Sequence, residues 1–354
     1  MFPISKLQVL EIEPSSYCNA GCPLCIRHIK WTSKEQPNLI KRHLTYEQIQ
    51  FLFADIKTIQ RVILCGVVGD SLMNPNIFNI VEFISNMSEK LFIDTNGSIR
   101  SEEFWLELGK LSKKQNIIIS FAIDGLEDTN HIYRVNTDFN KIIQNATAYI
   151  NAGGRAIWKY IVFKHNEHQI EEAHAFATKL GFEGFTTEHS SRWDRGDIDY
   201  IKNNNPILQP SSLVQNKLQY KMKGVGDAGI EHTTTQCISC KSLTRSHVFV
   251  DANFDLWPCC FFGSEVREFN RKIYWDPYWK SIKDMYGENF NNLNTTSLAT
   301  LLEHPYFIKT LPASWESTTQ QYLCKIFCNE SQYWDKQHSL NDNPVGRTTF
   351  NTTP

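Results

Sequence analysis

The first half of the chain alternates short apolar runs with longer amphipathic segments. Residues 117–123 are almost continuously apolar, which is typical of a strand buried on both faces of a parallel sheet. The same pattern predicts six strands, at residues 7–12, 61–65, 91–95, 116–123, 156–163 and 182–188. Apolar residues at helical spacing predict five intervening helices, at residues 44–56, 77–87, 102–111, 139–152 and 168–180.

Six strand–helix units in succession predict an α/β fold with a parallel sheet and crossover helices. Six units are too few to close an eight-stranded barrel, so we expect an open, partial (β/α)6 TIM-like barrel over residues 1–202. In folds of this kind the functional groups gather at the C-terminal ends of the strands. The loops that follow the predicted strands are therefore the first places to look for chemistry.

The second half has a different pattern. Asparagine and proline residues mark the start of a predicted linker at residues 203–235. Residues 246–251 and 254–257 then predict a β-hairpin, and residues 294–302 a helix. We expect a small β-hairpin plus helix domain over residues 236–330 and a C-terminal tail over residues 331–354, whose polar last 14 residues predict disorder.

Composition narrows the class of protein. The chain has 354 residues, of which 41% are hydrophobic, so a full core can form. The formal net charge is −2 and no long basic run occurs, so we expect no nucleic-acid partner. The N-terminus lacks a secretion signal and no apolar run reaches about 18 residues, so we expect no membrane association and a cytoplasmic location.

The cysteines fall into two zones. A cytosolic chain with ten cysteines is not expected to use a disulfide framework. Cys18, Cys22 and Cys25 lie at C-x3-C-x2-C spacing directly after the first predicted strand, and six more cysteines lie between residues 237 and 328. Three thiolates in one short loop can converge on a metal centre and leave one position open. The alternatives are a three-cysteine zinc site completed by a distant histidine, or buried free thiols.

Short polar or glycine-containing segments follow the next predicted strands. They read G-V-V-G-D-S-L-M-N-P at residues 66–75, T-N-G-S at 95–98, A-I-D-G at 122–125, H-x-x-R at 131–134 and K-H-N at 164–166. Asn-Gly and Asp-Gly are common turn dipeptides, so each segment alone is a weak signal. Their order at successive strand ends makes the joint signal strong.

With the cysteine loop, these segments resemble the radical S-adenosylmethionine (SAM) superfamily over about residues 7–190. Asp70 stands where the family has a glutamate, and Ala122 stands where a serine is frequent. Ser120, on the same face of its strand, could supply the hydroxyl group. The resemblance implies a [4Fe-4S] cluster on Cys18, Cys22 and Cys25 whose open iron binds SAM. The SAM contacts that it implies are Gly69, Asp70, Thr95, Asn96, Ser120, Asp124 and Arg134.

The second cysteine zone resembles the SPASM/Twitch extensions of the same superfamily. In these extensions a β-hairpin is followed by Pro-Cys, here at residues 258–259, and a later helix returns further ligands. The resemblance implies an auxiliary [4Fe-4S] cluster that accepts an electron or binds substrate. Its ligands are expected to be Cys240, Cys259, Cys324 and Cys328, with Cys237 and Cys260 as substitutes. The C-x2-C pair at Cys237 and Cys240 also suits zinc, so a four-cysteine zinc site is the alternative.

The resemblance implies an enzyme that cleaves SAM reductively to a 5′-deoxyadenosyl radical, which then abstracts hydrogen from a substrate. The substrate is expected to be a peptide, a protein or a sugar-like small molecule, and the electron donor a flavodoxin or ferredoxin. The alternative is a non-catalytic iron–sulfur or zinc protein. His165, Glu188, His189 and residues 192–195 are further candidates for substrate contact, whereas Cys65 is expected to be a small buried residue.

Overall fold

The computed structural model describes residues 2–29, 32–190, 207–212, 238–266, 276–316, 324, 328 and 349–351. Its centre is a single sheet. The strands are β1 (Val9–Ile12), β2 (Ile59–Leu64), β3 (Ser88–Thr95), β4 (Ile117–Ala122), β5 (Arg155–Val162), β6 (Gly184–His189), β7 (His247–Val250), β8 (Leu256–Trp257) and β9 (Thr349–Asn351). They lie in the order β8-β7-β1-β2-β3-β4-β5-β6-β9.

Helices connect the strands of the first half and follow the hairpin of the second. The described helices are α1 (Tyr46–Leu52), α2 (Ile77–Met87), α3 (Glu102–Lys114), α4 (Asn130–Tyr133), α5 (Phe139–Asn151), α6 (Ile170–Leu180), α7 (Lys241–Thr244), α8 (Cys260–Val266), α9 (Asp276–Tyr286), α10 (Leu298–Leu302) and α11 (Leu311–Glu316). Strands β1 to β6 pair in parallel in chain order, which confirms the predicted α/β fold and the open, partial barrel.

Local sequence signals account for many of the boundaries. Helix α1 begins with a capping box, in which the Thr45 hydroxyl accepts from the Gln48 amide N–H and the Gln48 side chain accepts from the Thr45 N–H. Helices α3 and α5 begin with simpler caps, in which the Ser101 and Asp138 side chains accept from backbone N–H groups of the first turn. Helix α6 ends at Gly181, whose φ of 85° is the left-handed conformation that favours glycine.

The two faces of the sheet are unlike. On β5 the alternate residues Ala156, Trp158 and Tyr160 are buried against the helices, whereas the residues between them are half-buried or exposed. The second set points to the concave side of the partial barrel, where Lys159 forms an ion pair with Asp94 at 3.1 Å. The concave face is therefore partly open and carries this ion pair beside the half-buried Ile157 and Ile161.

The hairpin of the second half joins the barrel sheet. Strands β7 and β8 pair antiparallel, which confirms the predicted hairpin, and β7 also pairs in parallel with β1. The hydrophobic periodicity of the sequence does not predict that β7 pairs with β1. The pairing uses backbone N–H and C=O groups, which β1 would offer equally to any other strand. The hairpin domain predicted as a separate unit is thus continuous with the barrel through one sheet.

Two further segments pack where the sequence pattern predicts irregular chain. Residues 207–212, inside the predicted linker, lie against the ends of β5 and β6. Thr349–Asn351, inside the predicted tail, pair antiparallel with β6. Disorder is therefore the wrong prediction for these three residues, because the free edge of β6 binds their backbone. Among the described residues, no helix is long and apolar enough to cross a membrane.

Candidate active site at the cysteine loop

The three early cysteines lie in one pinned loop after β1. The Gly21 N–H donates to the Val135 carbonyl at 2.7 Å, and the Ser33 hydroxyl donates to the Gly21 carbonyl at 2.7 Å. All three cysteines border a small apolar cluster, formed by Ala20, Cys22, Leu24, Tyr133, Phe163 and Leu208. The loop is thus held from both sides, with its thiols at the edge of a dry region.

Burial raises the pKa of two of these thiols, Cys18 and Cys22. It raises the pKa of Cys18 to about 12 and that of Cys22 to about 11, and the neighbouring Asp70 carboxylate adds to the shift of Cys18. Both groups are neutral thiols at pH 7 when no metal is bound. Because the thiolate is the metal ligand, binding a metal centre here releases protons.

Asp70 is the centre of a hydrogen-bond network at the end of β2 and β3. Its carboxylate accepts from the Leu72 N–H at 3.0 Å, from the Thr95 hydroxyl at 3.0 Å, and from both the N–H and the side-chain amide of Asn96 at 2.8 Å. A carboxylate has about four acceptor sites, and four protein donors fill them. Burial raises the pKa of Asp70, whereas these hydrogen bonds oppose the rise.

Asn96 connects this network to the cysteine loop. Its side-chain amide lies 2.8 Å from the Asn19 side-chain oxygen and 3.8 Å from the Cys18 sulfur. The side chain is buried, so its orientation is set by these contacts. Asp70 therefore holds Asn96 against the first cysteine.

An ion pair approaches the loop from the opposite side. Arg134 Nε donates to the Asp124 carboxylate at 2.6 Å, and Arg134 Nη1 lies 3.8 Å from the Cys22 sulfur. The other Asp124 oxygen accepts from the Ile161 N–H at 2.6 Å. Burial alone would lower the pKa of Arg134, but the Asp124 carboxylate outweighs it and raises the pKa, so the guanidinium stays charged.

The glycine turn after β2 is shaped by close backbone approach. A Cβ on Gly69 would lie 1.9 Å from the Ser15 carbonyl oxygen, so only glycine fits there. Glu13 holds the same turn, because its carboxylate accepts from the Val68 and Gly69 N–H groups at 2.5 and 3.1 Å. The role of Glu13 is not evident from the sequence, where it only ends an apolar run.

Ser120 is the predicted cofactor contact on β4. It is on the concave face of β4, paired with Asp94 of β3 and so close to the ion pair of Asp94 and Lys159. Asn166 is fully buried, and its side chain donates to the carbonyls of Asp124 and Ile161. These two hydrogen bonds hold the turn at Asp124 against the end of β5.

The remaining candidates near the strand ends have varied settings. The His165 ring stacks on Phe163, and burial lowers its pKa to about 4, so it is neutral at pH 7. His189, at the end of β6, hydrogen-bonds the Ser211 hydroxyl at 2.9 Å. Residues 192–195 lie outside the described residues.

The later cysteines form a second group. Burial and then the neighbouring Cys324 and Cys328 raise the pKa of Cys259, and a hydrogen bond with Cys328 raises the pKa of Cys240. The Ser239 N–H also donates to the Cys328 carbonyl at 2.9 Å, which joins the two ends of this segment. These are the four preferred ligands for the auxiliary site.

The two substitute ligands have different settings. Burial raises the pKa of Cys260, and the Glu11 carboxylate adds to the rise; the same two causes raise the pKa of Cys65. Glu11 also lies 3.2 Å from His247 Nε2. Cys237 lies outside the described residues.

The donor chemistry of both groups suits an iron–sulfur cluster. Each offers thiols, which are the ligands of such clusters; Cys22 is buried and the other six are half-buried. In the described part of the chain, no three Cys, His, Asp or Glu side chains converge closely enough to hold one metal ion. A single zinc ion needs ligands at about 2.0–2.3 Å, whereas a cluster distributes its cysteines over several irons.

Comparison with known proteins identifies the first half. Residues 12–177 match the family model of the Radical SAM superfamily. No curated protein matches the sequence.

Three solved structures illustrate the similarity of fold. Histidine-tagged anSMEcpe with bound AdoMet aligns with a TM-score of 0.51 and 14% identity, over 88% of this chain and 81% of that chain. Native anSMEcpe with bound AdoMet and Kp18Cys peptide gives 0.50 and 12%, over 88% and 84%. Streptococcus suis SuiB bound to precursor peptide SuiA gives 0.49 and 16%, over 74% of this chain but only 61% of the SuiB chain. Identities this low establish similarity of fold alone.

Proposed function

We propose, from the match of residues 12–177 to the Radical SAM superfamily model, that the chain cleaves SAM reductively and abstracts hydrogen from a substrate. Members of the superfamily are enzymes that use a [4Fe-4S] cluster and SAM. The observation that carries the proposal is the setting of the cysteine loop. Asn96 approaches the sulfur of Cys18 and Arg134 approaches that of Cys22, each at 3.8 Å.

Cys18, Cys22 and Cys25 would hold the cluster, which with SAM supplies the electron and the 5′-deoxyadenosyl radical. The protein would then bind the cluster and SAM, orient the substrate and shield the radical from water. Arg134 carries a permanent charge beside the loop and suits the carboxylate of SAM. Asp124 keeps that guanidinium in place, because it is fully buried and its other oxygen is bound to the β5 backbone.

In this proposal Asp70 does not contact SAM itself, although its position in the motif would suggest such a contact. Its acceptor sites are used by Leu72, Thr95 and Asn96, so an ammonium group must displace one of these donors to bind it. We assign to Asp70 the orientation of Asn96 and to Asn96 the contact with SAM. Thr95 and Gly69 complete the turn, and Ser120 faces the substrate cleft rather than the cofactor.

We propose a peptide as the substrate. Among the similar folds, anSMEcpe is described in complex with the Kp18Cys peptide. The concave face of this chain adds a chemical reason, since Asp94 and Lys159 place an acceptor beside donors, as recognition of amide groups requires. A sugar-like molecule is the second candidate, because the same pair suits hydroxyl groups. A flavodoxin or ferredoxin would supply the electron.

The test is anaerobic reconstitution with iron and sulfide, followed by dithionite and SAM. We expect 5′-deoxyadenosine and methionine to form in equal amounts. Absence of both products from protein that has taken up iron would leave the non-catalytic metalloprotein as the better interpretation. Adding candidate peptides or sugars made with deuterium then tests the substrate class, since abstraction transfers deuterium to 5′-deoxyadenosine.

We further propose that Cys240, Cys259, Cys324 and Cys328 hold an auxiliary [4Fe-4S] cluster that accepts an electron from the substrate radical. Support comes from the interaction of these four thiols with one another. A four-cysteine zinc site is the alternative for the same residues. Metal analysis separates the two, because two clusters contain about eight irons per chain and no zinc.

Neighbouring cysteines provide a matched pair of variants for this site. We expect Cys259→Ala to lower the iron content by about four per chain, because one cluster loses a ligand. Cys260→Ala should keep all the iron, because Cys260 is not one of the four proposed ligands. Iron is measured by chelation after acid release, on protein reconstituted in parallel. Equal losses from both variants would contradict the ligand assignment.

A further inference from the structure

A short segment from the second half of the chain covers the cysteine loop. Residues 207–212, here called the clamp, follow the barrel in sequence and return to its catalytic end. Pro210 forms an antiparallel bridge with Phe163, just after β5. The clamp therefore lies beside the apolar cluster that borders Cys18, Cys22 and Cys25.

Leu208 is the side chain by which the clamp joins that cluster. It is 1% exposed and belongs to the same buried group as Cys22, Leu24, Tyr133 and Phe163. The preceding residue, Ile207, is 58% exposed. Two aliphatic neighbours thus face opposite environments, and only Leu208 contributes to the dry side of the cysteine loop.

Polar contacts hold the clamp to the ends of β5 and β6. The Lys164 N–H donates to the Gln209 carbonyl at 3.0 Å. Glu167 accepts from both the N–H and the hydroxyl of Ser212 at 2.7 Å, and Ser211 hydrogen-bonds His189 at 2.9 Å. These contacts come from loops after two strands, so the clamp is anchored independently of the cysteine loop that it covers.

We propose that the clamp seals the metal centre of the cysteine loop from water and dissolved reagents, with Leu208 as the sealing side chain. The inference rests on the proposed cluster at Cys18, Cys22 and Cys25. An apolar cover keeps charged chelators and charged oxidants away from the irons, since they would have to cross a region without polar partners. Loss of the cover should increase the rate at which chelators and oxidants attack the cluster. It should have a smaller effect on the assembly of the cluster.

The test compares Leu208→Ala with Ile207→Ala in fully reconstituted protein. Absorbance near 400 nm is followed anaerobically after addition of a charged, water-soluble ferrous chelator, and in a second series after addition of ferricyanide, a charged oxidant. The phase that belongs to the loop is the one absent from protein in which Cys18, Cys22 and Cys25 are alanine. We expect Leu208→Ala to accelerate this phase about tenfold, because truncating a buried leucine weakens local closure. Ile207→Ala should match the unchanged protein.

A second variant separates sealing from general loss of stability. Glu167→Gln weakens the anchor of Ser212 without altering the apolar cluster, and it too should accelerate the loop phase. If Leu208→Ala does not fold, Glu167→Gln alone tests whether the clamp seals the metal centre. Rates equal to the unchanged protein in every variant that folds would overturn the proposal. If the unchanged protein shows no loop phase, the cluster assignment itself is wrong, so the two failures are distinguishable.

Discussion

Replacing Cys18, Cys22 and Cys25 together by alanine is expected to abolish SAM cleavage while leaving the second metal centre in place. The early loop supplies three thiols, and no other cysteine in the described residues borders the same apolar cluster. The iron content should fall from about eight to about four per chain, and 5′-deoxyadenosine should drop below detection. The measurements are iron analysis and product quantification after anaerobic reconstitution.

Cys65→Ala is the matched control for this experiment. Cys65 is also a buried thiol near a strand end, but it donates to the Ile12 carbonyl and belongs to neither proposed metal site. Its replacement should keep both the iron and the activity. Persistent SAM cleavage in the triple variant would show that the cluster is held elsewhere.

Asp124→Asn is expected to cause the largest loss of stability among the site variants. The substitution removes the charge partner of Arg134, whose side chain is only 14% exposed. Leaving one buried charge uncompensated typically costs about 3–5 kcal/mol of unfolding free energy. Denaturant unfolding of the metal-free protein measures the loss.

Two further variants check the physical reason for that loss. The double variant Asp124→Asn with Arg134→Met removes both charges, so it should be more stable than Asp124→Asn alone. Glu183→Gln breaks an exposed ion pair with Arg155 and should cost no more than about 1 kcal/mol. A double variant as unstable as the single one would mean that the ion pair is not what stabilises this turn.

The strand order of the first half could be predicted from the sequence because it depends on local patterns. Apolar runs of strand length, helical spacing between them and capping residues such as Thr45 act over a few positions. Parallel pairing in chain order then follows from short crossover connections. Predicted and observed elements differ mainly at their ends, where packing decides how far a helix or strand continues.

The candidate site could be predicted only in part. The cysteine spacing and the strand-end segments indicate which residues meet, because parallel strands bring their C-terminal ends to one edge. They do not indicate how hydrogen bonds are shared among those residues. Asp70 illustrates this, since its donors come from β3 and from its own turn, and their number is evident only once the chain is folded. The same holds for Glu13, whose hydrogen bonds to the Val68 and Gly69 N–H groups are evident only in the folded chain.

The sequence by itself determined the α/β class, the position of the cysteine loop and the existence of two separate cysteine zones. Each of these depends on spacing along the chain. The tertiary structure decided which late cysteines meet, that the hairpin extends the barrel sheet through β1, and that Leu208 covers the loop. These contacts join residues far apart in sequence, and composition does not encode them because many segments could satisfy the same apolar surface or free strand edge.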